Sequence, residues 1–393
     1  MGSITNEEIE NNVMNICLLT STYLPLIGGL EMVVHNLATT LTNIGHNVFV
    51  VTPIHRNHHF DGNHNYRIIR FGFRGYGRLR LVSASAILTL AYVVRQFKID
   101  VINVHNVFTP GSWAYYFGRI FKKIPVIGTP HGDDIQITPE IQDGIRLDPE
   151  WDRIVRRNLQ FFTRITSISQ SIRKDLNEMA INNGKIVDVP NGVWVRNFQT
   201  KNDKAEIRRK YSIPLNSIAL ISVGRNHPRK GFEYGLDAAA KLRNEGATFS
   251  YILVGRNMSP IIERARSLGV SDCLITPGEI NAMAVSELLQ VSDIYVSPSI
   301  VESFGLTTLE AMSAGLPCIV TDVAGSKDLV SAEYGVLVEP ANSDNLARAI
   351  KYLIEDPSLR ENMGYKARIE ALKYDWPNIA RMYVNVYKQS LVA

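Results

Sequence analysis

Short apolar runs rich in β-branched residues alternate along the whole chain with longer stretches in which apolar positions recur every three or four residues. That alternation predicts buried parallel strands joined by crossover helices, so the chain reads as α/β throughout. Strands are expected at 15–20, 47–52, 66–70, 101–104, 126–129, 165–168 and 186–189, and a second series at 218–223, 250–254, 273–276, 294–296, 317–320 and 335–338. Between the series lies a polar, charged stretch at 199–212, which reads as an interdomain linker entering a short helix. The expected organisation is a disordered or tag-like leader over 1–13, domains over 14–198 and 199–373, and a terminal segment over 374–393. Trp376, Ile379, Met382, Tyr383, Val386 and Tyr387 recur at spacings of three and four, with Pro377 in the first turn, so 374–392 reads as an amphipathic helix that needs a surface to cover.

Composition narrows the function classes. The 393 residues are 45% hydrophobic, enough for a sizeable core in each domain. With 42 Lys and Arg against 38 Asp and Glu the formal charge is +4, too balanced for a dedicated nucleic-acid binder, so no nucleic-acid partner is expected. Cys17, Cys273 and Cys318 lie in apolar runs at wide spacing, which fits reduced buried thiols and a cytoplasmic location. The uncharged stretch 81–94 is too short and too polar to span a bilayer.

The turn after the first strand, Ser21 to Glu31, lacks a G-x-G-x-x-G, and no G-x-x-x-x-G-K-[ST] occurs anywhere. It does carry Gly28-Gly29 before a helix expected at 30–41, where backbone amides can meet an anion at the positive end of the helix dipole. Alone, the pair reads equally well as a plain tight turn. A sharper constellation follows the strand at 294–296, running from Ser297 through Glu302, Phe304, Gly305 and Leu306 to Glu310. Ser303 or its neighbour is expected to cap a helix there, so that the amides of Phe304, Gly305 and Leu306 form an anion site. Glu302 and Glu310 bracket that site. Carboxylates repel phosphates and pair with hydroxyls, and the ligand that offers both phosphate and hydroxyl is a sugar nucleotide. Taken singly, either glutamate reads as a solvated charge. The turn after 218–223 supplies counter-charge, with Arg225 directly after the strand and Lys230 before Gly231, at the sheet edge where open α/β folds bind ligands.

Gly28-Gly29-Leu30-Glu31, His131-Gly132 after a strand, Asn191-Gly192-Val193 at the domain junction, Arg225 with Lys230, and Glu302 to Glu310 together resemble the retaining glycosyltransferases of family 4, over essentially 14–390. The resemblance implies the GT-B fold, two Rossmann-like doubly wound domains facing a cleft, with the C-terminal helix crossing back to the N-terminal domain. It implies a nucleotide-sugar donor on the second domain and a glycan, glycolipid or lipid-linked acceptor on the first. Arg225 and Lys230 would clamp the diphosphate, Glu310 would hold the ribose, Glu302 would face the donor sugar's hydroxyls, and the amides of Phe304, Gly305 and Leu306 would meet the phosphates. Gly28 and Gly29 would close over them, Gly278 and Ile280 would lie near the base, and His131 would touch the transferring sugar. His131, Glu302, Arg225 and Lys230 are thus the expected catalytic set, although an isolated histidine like His131 also reads as a loop residue without chemistry. The chain departs from the family pattern at Trp194, where Asp is usual, and at Asp133-Asp134, where one acid is more usual. Adjacent carboxylates are not the D-x-D of metal-dependent transferases, and no cofactor or essential divalent ion is expected. The implied chemistry is same-face displacement of a hexose-type sugar at the anomeric carbon, assisted by the departing phosphate.

On the acceptor side, Arg67, Arg70, Arg74, Arg78 and Arg80 interleave with Phe71, Phe73 and Tyr76 ahead of the apolar 81–94. This fits a surface that meets anionic headgroups or a lipid pyrophosphate, at the cytoplasmic face of a membrane. It fits equally a solvated basic loop followed by a core helix. Asn191 is grouped with the acceptor side. Two other classes remain open, a sugar-nucleotide epimerase or hydrolase and a non-catalytic sugar-nucleotide binding module, the latter with no turnover for Glu302→Ala or His131→Ala to remove.

Overall fold

The computed structural model describes residues 13–55, 64–72, 79–121, 124–199 and 203–392. They form two compact units, the first running to Gly192 and resuming at Trp376, the second comprising Val193–Asp375. The first holds seven parallel strands, β1 Asn15–Thr20, β2 Asn47–Pro53, β3 Arg67–Phe71, β4 Val101–His105, β5 Val126–Thr129, β6 Arg164–Ser167 and β7 Ile186–Asp188, in the order β3-β2-β1-β4-β5-β6-β7. The second holds six, β8 Ile218–Val223, β9 Phe249–Val254, β10 Leu274–Gly278, β11 Ile294–Ser297, β12 Cys318–Thr321 and β13 Gly335–Val338, in the order β10-β9-β8-β11-β12-β13. Both are doubly wound sheets whose order reverses once, between β1 and β4 and between β8 and β11. The carboxyl ends of those strands are where such sheets hold ligands.

The central strands are nearly continuous apolar runs because helices cover both faces. Ile16, Leu18, Val50, Ile102, Val104 and Ile127 have no exposed surface. Helix α1, Gly29–Asn43, lays Val34, Leu37 and Leu41 against this sheet. In the second unit Leu220, Tyr251, Ile294, Val296 and Ile319 pack with Phe232 and Leu236 in one core. Helix α2, Leu79–Gln96, buries Ala86, Leu90 and Val93 but leaves Leu88 64% and Tyr92 58% exposed. Among the described residues no helix is long and apolar enough to cross a membrane.

The charged stretch at 199–212 does not separate the units. Its described part belongs to the second unit, where Asp203 caps a helix over Lys204–Lys210 and Ile207 and Arg208 are buried. Arg208 is tolerated inside because its guanidinium donates to the carbonyls of Val291, Leu215 and Ser217 and pairs with Asp293 at 2.8 Å. A polar composition there reports a helix surface rather than a free linker. The chain instead leaves the first unit after Gly192 and re-enters it at Trp376. A Cβ at Gly192 would stand 2.6 Å from the Trp376 indole, so only glycine lets the outgoing and returning segments touch.

The terminal helix, α3, covers Trp376–Leu391 and completes the first unit. Trp376, Ile379, Tyr383 and Tyr387 point inward at spacings of three and four, each burial contributing roughly 1.5–3 kcal/mol. Tyr387 Oη donates to Asn103 Oδ1 at 2.7 Å, and the Asn103 amide donates in turn to Thr129 Oγ1 at 2.8 Å, joining the helix to β4 and β5.

Candidate active site

The second unit assembles most of the expected donor residues. After β8 the chain turns through Gly224 and the exposed Arg225, then makes a short 3-10 turn over Pro228–Lys230, with His227 Nδ1 accepting from the Arg229 amide at 3.3 Å. Gly231 follows at φ +57, and a Cβ there would run into the carbonyl oxygen of Pro298. That approach lays the β8 turn against the loop after β11, and the amide of Ile300 donates to the Arg229 carbonyl at 2.7 Å. Lys230 Nζ thereby reaches Glu302 Oε2 at 2.7 Å, with the two side chains 28% and 13% exposed.

Burial pushes the Glu302 carboxyl up, but the Lys230 charge and hydrogen bond, then Arg229, outweigh it and hold it below the usual carboxylate range. Glu302 is therefore an anion at neutral pH. The Glu302 carbonyl accepts from the Gly325 amide at 2.9 Å, fixing the loop from its other side.

Helix α4, Leu306–Ala314, begins directly beyond. Its N-cap is Gly305 at φ +96 with no side-chain cap, not Ser303, so the first-turn amides lack an internal acceptor and are open to an anion. Phe304 is buried, its ring 6.3 Å from that of Tyr374. Glu310 sits one turn in, half-buried, and burial lifts its carboxyl to about 7. Gly278 ends β10, two strands out from β8, its carbonyl accepting from Gly255 at 3.0 Å, with the half-buried Ile280 just beyond. Lys230, Glu302, Phe304, Gly305, Leu306 and Glu310 thus share one switch point, with Arg225 on the same turn.

In the first unit Gly28 precedes α1 at the end of β1, but its neighbourhood is not bare. The Glu31 Oε2 atom lies 2.6 Å from where a Gly28 Cβ would be, so a carboxylate already answers the positive end of this helix. Arg70 does not project as a free cation. Its guanidinium donates to the carbonyls of Leu24 at 2.5 Å and Pro53 at 3.2 Å, bracing the stem of the Gly28-Gly29 turn. Arg74 and Arg78 lie outside the described residues, and Arg80 stands in the first turn of α2. Asn191 follows β7, three strands from β4, and is 3% exposed. At Trp194, Arg196 stacks over the indole at 4.6 Å.

His131 follows β5, half-buried, and burial depresses its pKa to about 4. Two partners surround it, His105, which the sequence reading did not single out, and Asp134, which it noted only as a departure from the family pattern. His105, the last residue of β4, is fully buried with Nδ1 3.1 Å from His131 Nε2. Asp134, also fully buried, accepts from the amides of His131 at 2.9 Å, Gly132 at 3.1 Å and Val107 at 2.6 Å. Burial raises the Asp134 carboxyl to about 6 against the amide bonds from Val107 and His131, which pull it down. The extra acid after His131-Gly132 is thus a loop organiser. His105 gives no signal in the sequence beyond a polar residue closing an apolar run.

Comparison with known proteins agrees with this architecture. Residues 203–370 match the family model described as glycosyl transferases group 1, and residues 27–195 that of glycosyltransferase family 4. N-acetyl-alpha-D-glucosaminyl L-malate synthase of Bacillus anthracis is 26% identical, covering 88% of this chain and 89% of its own. Alpha-monoglucosyldiacylglycerol synthase of Streptococcus pneumoniae is 24% identical over 89% of this chain and 80% of its own. The crystal structure of HepE from Anabaena in complex with UDP superposes with a TM-score of 0.80 at 19% identity, covering 95% of this chain and 99% of that one. With both units matched in order and the two doubly wound sheets in place, the chain belongs to the GT-B glycosyltransferases of group 1 and family 4.

Proposed function

We propose that the chain moves a hexose from a nucleoside-diphosphate sugar to a glycan or lipid-linked acceptor, with retention at the anomeric carbon. The observation that carries this reading is the Lys230–Glu302 pair at the switch point of the second sheet. A donor offers each partner a better mate at once, phosphate oxygens for Lys230 and sugar hydroxyls for the ionised Glu302. Arg225 and the first amides of α4 add positive potential for the leaving diphosphate, which gains charge as the bond to C1 breaks. With that charge supplied by side chains and amides, turnover needs no added divalent ion. Glu310 takes the ribose, and His131 touches the transferring sugar. The acceptor oxygen attacks C1 on the face the diphosphate leaves, the C1–O bond to phosphate breaks, and the acceptor's proton passes to the departing phosphate oxygen.

The UDP in the Anabaena structure supports a uridine nucleotide as the first donor to try. The Streptococcus pneumoniae relative, a diacylglycerol glucoside synthase by name, supports a lipid-linked acceptor. Exposed Leu88 and Tyr92 on α2, with Tyr116 and Ile120 on the neighbouring helix Thr109–Ile120 and Phe121 directly after it, support peripheral contact with a membrane. A thermal-shift panel of UDP- and GDP-sugars tests the donor, followed by NMR of the product's anomeric configuration. A shift with none of them, or an inverted product, refutes the reading.

A further inference from the structure

His105 and His131 are stacked, their ring centroids 5.3 Å apart at 26°. At 3.1 Å, His105 Nδ1 and His131 Nε2 share one hydrogen bond, and one of the two must carry its proton. Burial keeps both rings neutral, His131 at about 4 and His105 well below the ordinary histidine value, where the His131 ring adds to the effect. Two neutral imidazoles leave two assignments.

If His131 donated, His105 would carry its own proton on Nε2. That atom is buried and has no partner among the described residues. Buried orphan N–H groups are rare, and an under-satisfied acceptor is tolerated more readily. If His105 donates from Nδ1 instead, the stranded Nε2 is only a bare acceptor. His131 then accepts at Nε2 and keeps its proton on Nδ1, which has no partner among the described residues but, unlike His105 Nε2, is not one of the buried orphan atoms, so this N–H of a half-buried ring can reach water or a ligand. Asp134 holds both segments in register, since it binds the amides of His131 and Gly132 and that of Val107, two residues after His105.

We infer that His105 is a positioning residue that fixes His131 as the Nδ1–H tautomer, so that His131 meets a substrate oxygen as a hydrogen-bond donor and not as a base. The substrate part of this rests on the reading of His131 given above; the tautomer does not.

Long-range 1H–15N correlation spectra of the full chain labelled with 15N-histidine test it, with His131 assigned through His131→Gln. The expected spectrum at pH 7 shows His131 Nδ1 protonated and Nε2 bare, and a proton on Nε2 overturns the inference. Turnover supplies a second arm. His105→Phe keeps an aromatic ring but has no donor, and about a tenfold fall in kcat is expected with KM for the nucleotide sugar within twofold. His105→Asn places an amide nitrogen as many bonds from Cβ as Nδ1 is, so it is expected to keep kcat within threefold and the Nδ1–H signal of His131. Equal losses in the two variants, or a Phe variant with wild-type kcat, overturn the positioning role. Full turnover in His131→Ala would instead sink the sugar-contact reading and leave the wild-type tautomer assignment standing.

Discussion

Replacing Lys230 by Met removes a charge while keeping most of the side chain's length, and its cost can be worked out from the pair it breaks. Glu302 is 13% exposed and 2.7 Å from Lys230 Nζ, so the variant leaves a largely buried carboxylate without its main counter-charge. Fully buried pairs cost about 3–5 kcal/mol when one partner goes. Lys230 is 28% exposed and Glu302 can take a proton, so about 1–3 kcal/mol is the expected loss. For a unit of this size that lowers Tm by roughly 2–4 °C per kcal/mol. With Lys230 gone, burial dominates and the Glu302 pKa rises, so the variant regains stability as pH falls and the carboxyl is neutralised. Glu302→Gln in the Lys230→Met background removes the stranded charge outright and is expected to recover most of the lost Tm. Catalysis responds separately, because one preorganised donor on the leaving group is worth roughly 100- to 1,000-fold in kcat. The assays are thermal melts of the four proteins of the cycle across pH, and kcat/KM with the donor that gives the largest thermal shift. A Lys230→Met protein with wild-type Tm and kcat/KM within threefold would refute both the pairing and the clamp. Recovery of Tm by the double variant without recovery of turnover is the expected result.

Other expectations are as direct. Glu310, raised to about 7 from an ordinary 4.5, holds its proton more tightly folded than unfolded, so its contribution to stability is full below about 4.5 and is lost as pH rises through 7. Glu310→Gln should flatten that part of the stability profile, and if the proposed ribose contact is made by the carboxylate, donor affinity in the parent should rise with pH through the same range by calorimetry. Tyr387→Phe leaves the Asn103 carbonyl oxygen buried with its partner removed, for a loss of about 1–3 kcal/mol in urea melts. Turnover measured after exhaustive EDTA treatment should persist, and restoration only on adding Mg²⁺ or Mn²⁺ would overturn a clamp made of side chains. Co-sedimentation with anionic liposomes should fall when Arg74, Arg78 and Arg80 are replaced by Ser, and undiminished binding would remove that stretch from the membrane reading.

The elements were legible because their signal is local. Every expected strand occurs, each within two residues of its expected bounds, since a parallel strand covered on both faces reads as a near-continuous apolar run wherever it sits. The terminal helix was legible through its spacing, and its need for a surface is met by Asn103 and the first sheet. Boundaries were less so, because charge at 199–212 looks the same on a linker and on the outer face of a helix that buries Ile207 and Arg208. Roles set by long-range contact were not legible at all. Arg70 looks like a free cation until the Leu24 and Pro53 carbonyls are seen to occupy it, and Asp134 looks like a surplus acid until three amides converge on it.

Lys230 and Glu302 lie between these extremes, and the topology explains why. They are 72 residues apart, with no local pattern to pair them. Yet a doubly wound sheet reverses next to its first strand, which makes β8 and β11 neighbours and brings the turns at their carboxyl ends together. Once the strand order is assumed, a cation in the β8 turn and an acid in the β11 loop must share one edge, and Gly231 against Pro298 closes the remaining distance. The same reasoning applied to the first sheet makes β4 and β5 neighbours, so the residue ending one and the loop leaving the other must also meet. His105 and His131 are that meeting. A histidine at the carboxyl end of a strand beside the switch point is thus a candidate partner for the site on topology alone, before any side chain is placed.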